Sequence, residues 1–179
     1  DASRESKSHA ISTGTEYGDI TQVTIVRNLF YDVDHAILVK DGAFATIVNN
    51  TIVNVNKKFA ATDATTAAIN FYEPRAGQWE GDGVYLDGNI FQDVPQLFEH
   101  PDAVARPVSV TMNNSIVYPA TTAEPVSWVG TGNMIGVDPL LTETVNVTDP
   151  VTDFILQAGS PAFGAGPNGV NIGGLIPAG

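Results

Sequence analysis

The chain of 179 residues contains no cysteine, few basic side chains and no long hydrophobic run. The lack of cysteine excludes disulfide bonds, thiolate zinc sites and a cysteine nucleophile. Eight Lys and Arg against twenty Asp and Glu give a formal charge of −12. This acidity argues against nucleic acid and anionic membranes as partners, because both require clustered Lys and Arg. No apolar run approaches the ~20 residues of a membrane span, so we expect no membrane-spanning segment in this sequence.

The rest of the composition is that of one folded domain. Hydrophobic residues make up 43% of the chain and charged residues 16%, a balance that favours a buried core over disorder. Segments with the 3.6-residue periodicity of an amphipathic helix are lacking. Apolar residues come instead in short β-branched bursts, such as 23–26 and 45–48, separated by Asn, Gly and Asp. This pattern predicts strands and turns.

Repeated segments that align on an asparagine organise the chain. They are VTIVRNLFYDV (23–33), ATIVNNTIVNV (45–55), VYLDGNIFQDV (84–94), SVTMNNSIVYP (109–119) and GTGNMIG (130–136), with aligned Asn28, Asn50, Asn89, Asn114 and Asn133. A shorter apolar segment precedes each one, at 9–12, 35–39, 67–71, 96–99 and 125–129. We therefore expect each repeat to contain a short strand and an Asn-centred strand.

Repeats of this length, built from strands alone, predict an all-β parallel β-helix solenoid of about six rungs. Asparagine suits a tight corner, because it tolerates the left-handed conformation and its amide can bond to the next rung in an asparagine ladder. We expect residues 1–136 to form the rungs with loop insertions. Residues 137–179, rich in Pro and Gly, are predicted to form the final rung or rungs and a C-terminal cap of the same domain.

The motif Ile47-Val48-Asn49-Asn50-Thr51-Ile52 resembles the right-handed parallel β-helix repeat family of the pectate-lyase-like superfamily. The C-terminal stretches 137–141, 154–162 and 171–174 are similar to the ending of that family, and 34–53 resembles β-helix segments of large secreted bacterial proteins. The chain thus looks like the C-terminal part of such a protein. The resemblance implies a right-handed solenoid, a secreted or cell-surface location and polysaccharides as partners.

Some members of this family are lyases that use a Lys or Arg base against a uronate, frequently with Ca²⁺. The candidate catalytic bases here are His9, His35, Lys40 and Arg75. His9 and His35 begin equivalent HAI repeats, so we expect them to stack one rung apart at about 5 Å and, beside Asp34, to be able to transfer protons. The alternatives are a surface ladder of histidines and, for Lys40 in its predicted turn, a solvated pair with Asp41.

Two further sites are candidates for ligands. Tyr72 and Trp79, in an insertion, could stack on sugar rings, although Trp79 could equally cover the rod. Asp32, Asn54 and Asp93 align four residues after ladder asparagines, which predicts an oxygen-rich column. Its carboxylates would either bind Ca²⁺, the one cofactor suggested, or form a solvated corner.

These observations favour a non-catalytic extracellular module that acts as a scaffold or binds polysaccharide. A polysaccharide lyase or glycoside hydrolase, Ca²⁺-assisted, is one alternative, and a structural unit that assembles end to end is another. A bare first rung would expose strand edges. We therefore expect upstream β-helix rungs or another chain at the N-terminal edge.

Overall fold

The computed structural model describes residues 9–14, 21–56, 66–71, 81–100, 107–121, 124–142 and 144–174. The strands are β1 (His9–Thr13), β2 (Gln22–Val26), β3 (Leu29–Val33), β4 (His35–Val39), β5 (Phe44–Val48), β6 (Thr51–Val55), β7 (Ile69–Asn70), β8 (Gly83–Asp87), β9 (Ile90–Gln92), β10 (Phe98–Glu99), β11 (Ser109–Asn113), β12 (Ile116–Tyr118) and β13 (Met134–Ile135). One 3-10 turn, Pro167–Gly169, is the helical element of these residues. No helix among them has the length and apolar character needed to cross a membrane.

The strands form three sheets in which every paired strand is parallel to its neighbour. Sheet I has the order β1-β4-β7-β10, sheet II the order β11-β8-β5-β2, and sheet III the order β13-β12-β9-β6-β3. Because successive strands enter sheets I, II and III in turn, each rung of three strands stacks on the preceding one. This is the architecture of a parallel β-solenoid, so the predicted all-β parallel fold is confirmed.

The described residues contain four complete rungs and part of a fifth, whereas the sequence predicts about six. The partial rung extends sheet III through β13 and sheet II through a single parallel bridge between Thr111 and Val129. Sheet I ends one rung earlier. There the carboxylate of Glu124 accepts hydrogen bonds from the backbone N–H groups of Leu97 at 2.8 Å and Phe98 at 3.0 Å. The expectation of a fifth short strand beside the other four was therefore wrong, because a side chain takes its place.

Each predicted Asn-centred strand is broken in two by a corner, so a rung has three strands rather than two. The residue before each ladder position has a positive φ, which turns the chain from sheet II into sheet III. It is this residue, and not the ladder asparagine, that adopts the left-handed conformation. The corner residues are Arg27 (φ 55°), Asn49 (φ 50°), Gly88 (φ 65°), Asn114 (φ 46°) and Gly132 (φ 73°).

A ladder of side-chain hydrogen bonds follows this corner from rung to rung. The backbone N–H of Asn28 donates to Oδ1 of Asn50, and that of Asn50 donates to Oδ1 of Asn89, each at 2.9 Å. The next two steps, each at 3.1 Å, use Oγ of Ser115 and Oδ1 of Asn133. Each ladder side chain thereby satisfies a backbone donor that the corner removes from the sheets.

The predicted ladder residue Asn114 was wrong by one position. Strand β11 pairs Asn113 with Asp87, which puts Asn114 opposite Gly88 at the corner and Ser115 in the ladder. The amide of Asn114 instead donates to Oδ1 of Asp87 at 2.9 Å. The hydroxyl oxygen of Ser115 accepts from the backbone N–H that an asparagine oxygen accepts from in the other rungs. An alignment on asparagine alone therefore shifts this repeat by one residue.

The interior of the solenoid is filled by columns of apolar side chains, one from each rung. Ile25, Ile47, Leu86 and Met112 form such a column in sheet II, and all four are buried. Since every rung adds one member to each column, a single core runs along the rod.

The C-terminal segment covers the outer face of sheet III. Val53, Ile90 and Ile116 point away from the main core and join a second apolar cluster with Phe154, Leu156 and other residues of this segment. A cap is predicted at the end of the stack. Over the described residues, the C-terminal segment instead lies along the side of the stack, against sheet III.

Close backbone contact holds the end of this segment in place. The N–H of Gly174 donates to Oγ1 of Thr51 at 2.9 Å, and a Cβ atom on Gly174 would lie 2.5 Å from the carbonyl oxygen of Asn28. Only glycine fits so near the first corner of the ladder. The chain therefore returns from the fifth rung to the first.

Candidate functional site

Sheet I carries buried polar side chains on its outer side. Phe98 and Ile69 contribute to the main core, so the residues that follow them, Glu99 and Asn70, point away from it. Both are nevertheless buried. Buried polar side chains require partners, and here the partners include the two histidines that the repeats single out.

His9 and His35 are paired across β1 and β4. Their ring centroids lie 5.0 Å apart, with an angle of 41° between the planes. The expectation that these imidazoles stack one rung apart at about 5 Å is confirmed.

His35 contacts Glu99, which is two rungs further along the solenoid. Its Nε2 atom lies 3.0 Å from Oε2 of Glu99, and the His35 side chain has no exposed area. The tautomer with the proton on Nε2, assigned from this contact, donates to the carboxylate. The hydrogen bond is strong because the pair is shielded from water.

Asn70 is the hydrogen-bond partner of the second histidine. Its Nδ2 atom lies 3.2 Å from Nε2 of His9, which makes this imidazole nitrogen the acceptor. We call His9, His35, Asn70 and Glu99 the His–Glu cluster. Its members come from four successive strands of sheet I, so the stacking of the rungs assembles it.

The His–Glu cluster has the groups that proton transfer needs, but His35, Asn70 and Glu99 are buried and only His9 is partly exposed. An imidazole next to a carboxylate can accept and pass on a proton. A catalytic base must also reach the substrate within hydrogen-bond distance. His35 is fully buried, and the adjacent Asp34 is also buried, so in this conformation neither can meet a polysaccharide.

Lys40 lies in the turn after β4. The turn itself is confirmed, since the N–H of Ala43 donates to the carbonyl oxygen of Lys40 at 3.0 Å. Its Nζ atom is 3.6 Å from Oδ2 of Asp41, and the two side chains are only 13% and 6% exposed. The alternative of a solvated surface pair was therefore wrong, because the turn packs both charges against the protein.

The other candidates in the insertion cannot be placed. Arg75, Tyr72 and Trp79 lie outside the described residues. Their predicted roles in catalysis and sugar stacking stay predictions.

The column of Asp32, Asn54 and Asp93 forms a second left-handed corner, with φ values of 59°, 57° and 52°. The amide of Asn54 donates to Oδ1 of Asp32 at 2.9 Å, and the amide of Asn56 donates to the same oxygen at 3.1 Å. The amide groups of Asn54 and Asn56 thus bind one carboxylate oxygen of Asp32 on the neighbouring rung. Within the described ranges, no three His, Asp or Glu side chains are grouped so that they could hold a metal ion.

Asn70 and Glu99 are two members of the cluster that the repeats do not single out. Asn70 is the one polar residue of the short segment 67–71, and Glu99 follows two apolar residues at the end of the segment 96–99. A polar residue in such a segment is a signal for a buried hydrogen bond, but the sequence does not say to what. Glu99 is 64 residues from His35 along the chain.

Comparison of the chain with protein-family models, with curated proteins and with solved structures finds no match.

Proposed function

We propose that this chain is a non-catalytic β-solenoid module of a secreted or cell-surface protein, and that it serves as a scaffold or binds polysaccharide. We further propose that the solenoid is right-handed and related to the pectate-lyase-like β-helix repeat proteins, of which the repeat and C-terminal motifs are typical. Three parallel sheets joined by a ladder at one corner support this assignment.

The burial of His35 carries the proposal. It is the best-placed candidate base, yet its side chain has no exposed area and its Nε2 atom is engaged by Glu99. Lys40, the second candidate, is held beside Asp41 and is largely buried. Side chains in these positions stabilise the stacking of sheet I. His9, on the first strand, is a candidate base that is partly exposed, and its Nε2 atom lies 3.2 Å from the amide nitrogen of Asn70.

The charge of the molecule supports the same conclusion. A formal charge of −12 disfavours the binding of polyuronates, because a polyanionic substrate needs a basic cleft or a bridging cation. A module of this kind suits uncharged glycans or a purely structural role.

A polysaccharide lyase or hydrolase is the second candidate, and the His–Glu cluster is the observation that favours it. His35 is hydrogen-bonded to the carboxylate of Glu99, and the ring of His9 lies 5.0 Å from the ring of His35, so an imidazole–carboxylate pair stands next to a second imidazole. Catalysis by His35 would require this buried side chain to become accessible, whereas His9 is already partly exposed.

The test is a glycan panel assayed with and without EDTA, for binding and for release of reducing or unsaturated ends. We expect binding or no interaction, and no turnover. Turnover by the wild type that is abolished in His35→Ala or Lys40→Ala, but kept in a variant of an exposed residue such as Val170→Ala, would overturn the non-catalytic assignment. If the wild type shows turnover and EDTA abolishes it, the activity is that of a Ca²⁺-assisted enzyme.

End-to-end assembly is the third function to be tested. Ile135 belongs to an inward-facing column of sheet III but is 46% exposed at the last rung. An apolar residue at the end of the core is suited to a further rung, from this chain or another. The molar mass of the wild type and of Ile135→Lys, measured by light scattering, tests assembly through this end. An oligomer that the substitution converts to a monomer would support it, and a wild type that is monomeric at every concentration would reject it.

A further inference from the structure

Over the described residues, the outer face of sheet II meets solvent in all four of its strands. In β5 the inward Ala45 and Ile47 are fully buried, whereas the outward Thr46 is partly exposed. The outer side of sheet I is closed over Asn70 and Glu99, and the C-terminal segment covers the outer face of sheet III. The outer face of sheet II is therefore a flat, accessible surface that extends over four rungs.

Hydroxyl groups recur along this face, one from each complete rung. The strand register places Thr24, Thr46, Tyr85 and Thr111 in a single column, which we call the hydroxyl column. Neighbouring members are separated by one strand spacing, about 4.8 Å. The column runs along the axis of the solenoid, and its repeat is close to the length of one sugar unit in an extended chain.

Aromatic rings lie on and beside the hydroxyl column. The hydroxyl of Tyr85 donates to Oδ2 of Asp87 at 3.1 Å, which fixes the phenol ring in the middle of the face. Phe44 is partly exposed on the neighbouring column, where its partner on β8 is Gly83. Gly83 has no side chain, and the backbone of Ser109 lies against the position that its Cβ atom would take, so the ring of Phe44 has no side chain of β8 beside it at this position. Fixed rings of this kind pack against the apolar faces of sugars.

The face is almost uncharged. Among the outward residues of β2, β5, β8 and β11 there is one acid, Asp87, and no base. The remaining outward residues are Gln22, Thr24, Val26, Phe44, Thr46, Val48, Gly83, Tyr85, Ser109, Thr111 and Asn113. A surface without cations does not attract a polyanion, whereas its hydroxyl and amide groups can pair with the hydroxyls of a neutral sugar.

We propose that the outer face of sheet II binds an uncharged, linear polysaccharide that lies along the solenoid axis, with one sugar unit per rung over the hydroxyl column. This inference rests on the proposed function and names its binding site and the class of its ligand. Tyr85 supplies the main stacking contact, and the threonines of the column pair with sugar hydroxyls.

The test is affinity electrophoresis of the full chain in gels that contain soluble neutral β-glucan, glucomannan or, as an anionic comparison, polygalacturonate. We expect a neutral polysaccharide to retard the wild type. We expect the Tyr85→Ala variant to bind the same polysaccharide at least about tenfold more weakly. Tyr31→Ala is the matched control, since Tyr31 is a partly exposed tyrosine on sheet III whose ring contacts Phe154. It should bind like the wild type.

A second variant keeps the test decisive if Tyr85→Ala does not fold. Thr24 is exposed at the outer edge of sheet II, so Thr24→Lys leaves the core intact and should also weaken binding. Wild-type affinity in both folded variants would overturn this site and leave polysaccharide binding elsewhere. Retardation by polygalacturonate alone would overturn the neutral ligand, and no retardation in any gel would reject polysaccharide binding as a whole.

Discussion

At the corner between sheets II and III, single side chains supply the hydrogen bonds that the backbone cannot. Asn89 is fully buried, accepts from the N–H of Asn50 and donates to the carbonyl oxygen of Ile47 at 2.8 Å. An unsatisfied buried donor costs about 1–3 kcal/mol, so each ladder residue specifies the stacking of its rung. The preceding left-handed residue has the separate role of turning the chain.

This division of roles predicts different effects for two adjacent residues. Ser115→Ala removes the oxygen that accepts from the N–H of Asn89. We expect the free energy of unfolding to fall by about 1–3 kcal/mol. Asn114→Gly, at a position with a positive φ of 46°, removes only a partly exposed hydrogen bond and should cost less than about 1 kcal/mol. Urea unfolding measures both, and a larger loss for Asn114→Gly would contradict the ladder register.

The titration of the Asp153 carboxyl group reports on the structure of the C-terminal segment. The backbone N–H groups of Asp149 and Thr148 donate to its carboxylate and hold the pKa of Asp153 below its ordinary value of 3.8. Because the pKa is lowered in the folded state, the ionised group contributes stability above its ordinary pKa. That contribution is lost as the pH falls through the lower folded value.

We therefore expect an NMR titration of the side-chain carboxyl of Asp153 to give a pKa below 3.8. Asp153→Asn should remove this titration and accelerate amide exchange at Thr148 and Asp149. A carboxyl that titrates at or above its ordinary value would show that this turn is not formed in solution.

At the scale of elements, the solenoid has two apolar interfaces rather than one. The main core lies between the three sheets, and a second cluster joins the outer face of sheet III to the C-terminal segment. Phe154 is the largest side chain of this segment in the second cluster and contacts Tyr31, with ring centroids 5.3 Å apart. A segment that reaches several rungs through one cluster couples them to each other.

Two phenylalanines of the C-terminal segment provide a matched comparison. Phe154 is fully buried, whereas Phe163 is 43% exposed. We expect Phe154→Ala to lower the free energy of unfolding by about 3–5 kcal/mol, because it leaves a cavity against sheet III. Phe163→Ala should cost much less. Chemical denaturation of both variants is the measurement, and equal losses would show that the segment does not pack on sheet III as described.

At the scale of the whole molecule, the acidic surplus acts on stability as well as on partners. The chain has twenty acidic and eight basic side chains, and the surplus negative charges repel one another in the compact state. Salt screens this repulsion over a Debye length of about 8 Å at physiological ionic strength. The repeats therefore fold in spite of their charge, through the continuous core.

We expect the urea midpoint of unfolding to rise when NaCl is increased from low to physiological ionic strength. Near the isoelectric pH, where the net charge vanishes, the same increase in salt should have little effect. A midpoint that falls with salt at neutral pH would show that attractive surface ion pairs outweigh the net repulsion.

The sequence predicted the parts of the candidate site that repeat from rung to rung. His9 and His35 occupy the same place in two HAI strands, so their 5.0 Å contact follows from the strand spacing. Asn70 and Glu99 do not repeat a motif, and no periodicity connects them to the histidines. The register of sheet I brings them together, and their burial depends on the packing of several rungs.

The amino-acid sequence by itself determined the parallel β architecture, because apolar strands and corner residues recur in the same order along the chain. It also determined the column of Asp32 and Asn54, whose side chains align by one repeat. Only the tertiary structure decided that the ladder passes through Ser115, that the C-terminal segment lies along sheet III, and that His35 is closed against Glu99. These features depend on which surfaces come into contact when the rungs stack. Contacts between residues far apart in the chain leave no local pattern in the sequence from which they could be predicted.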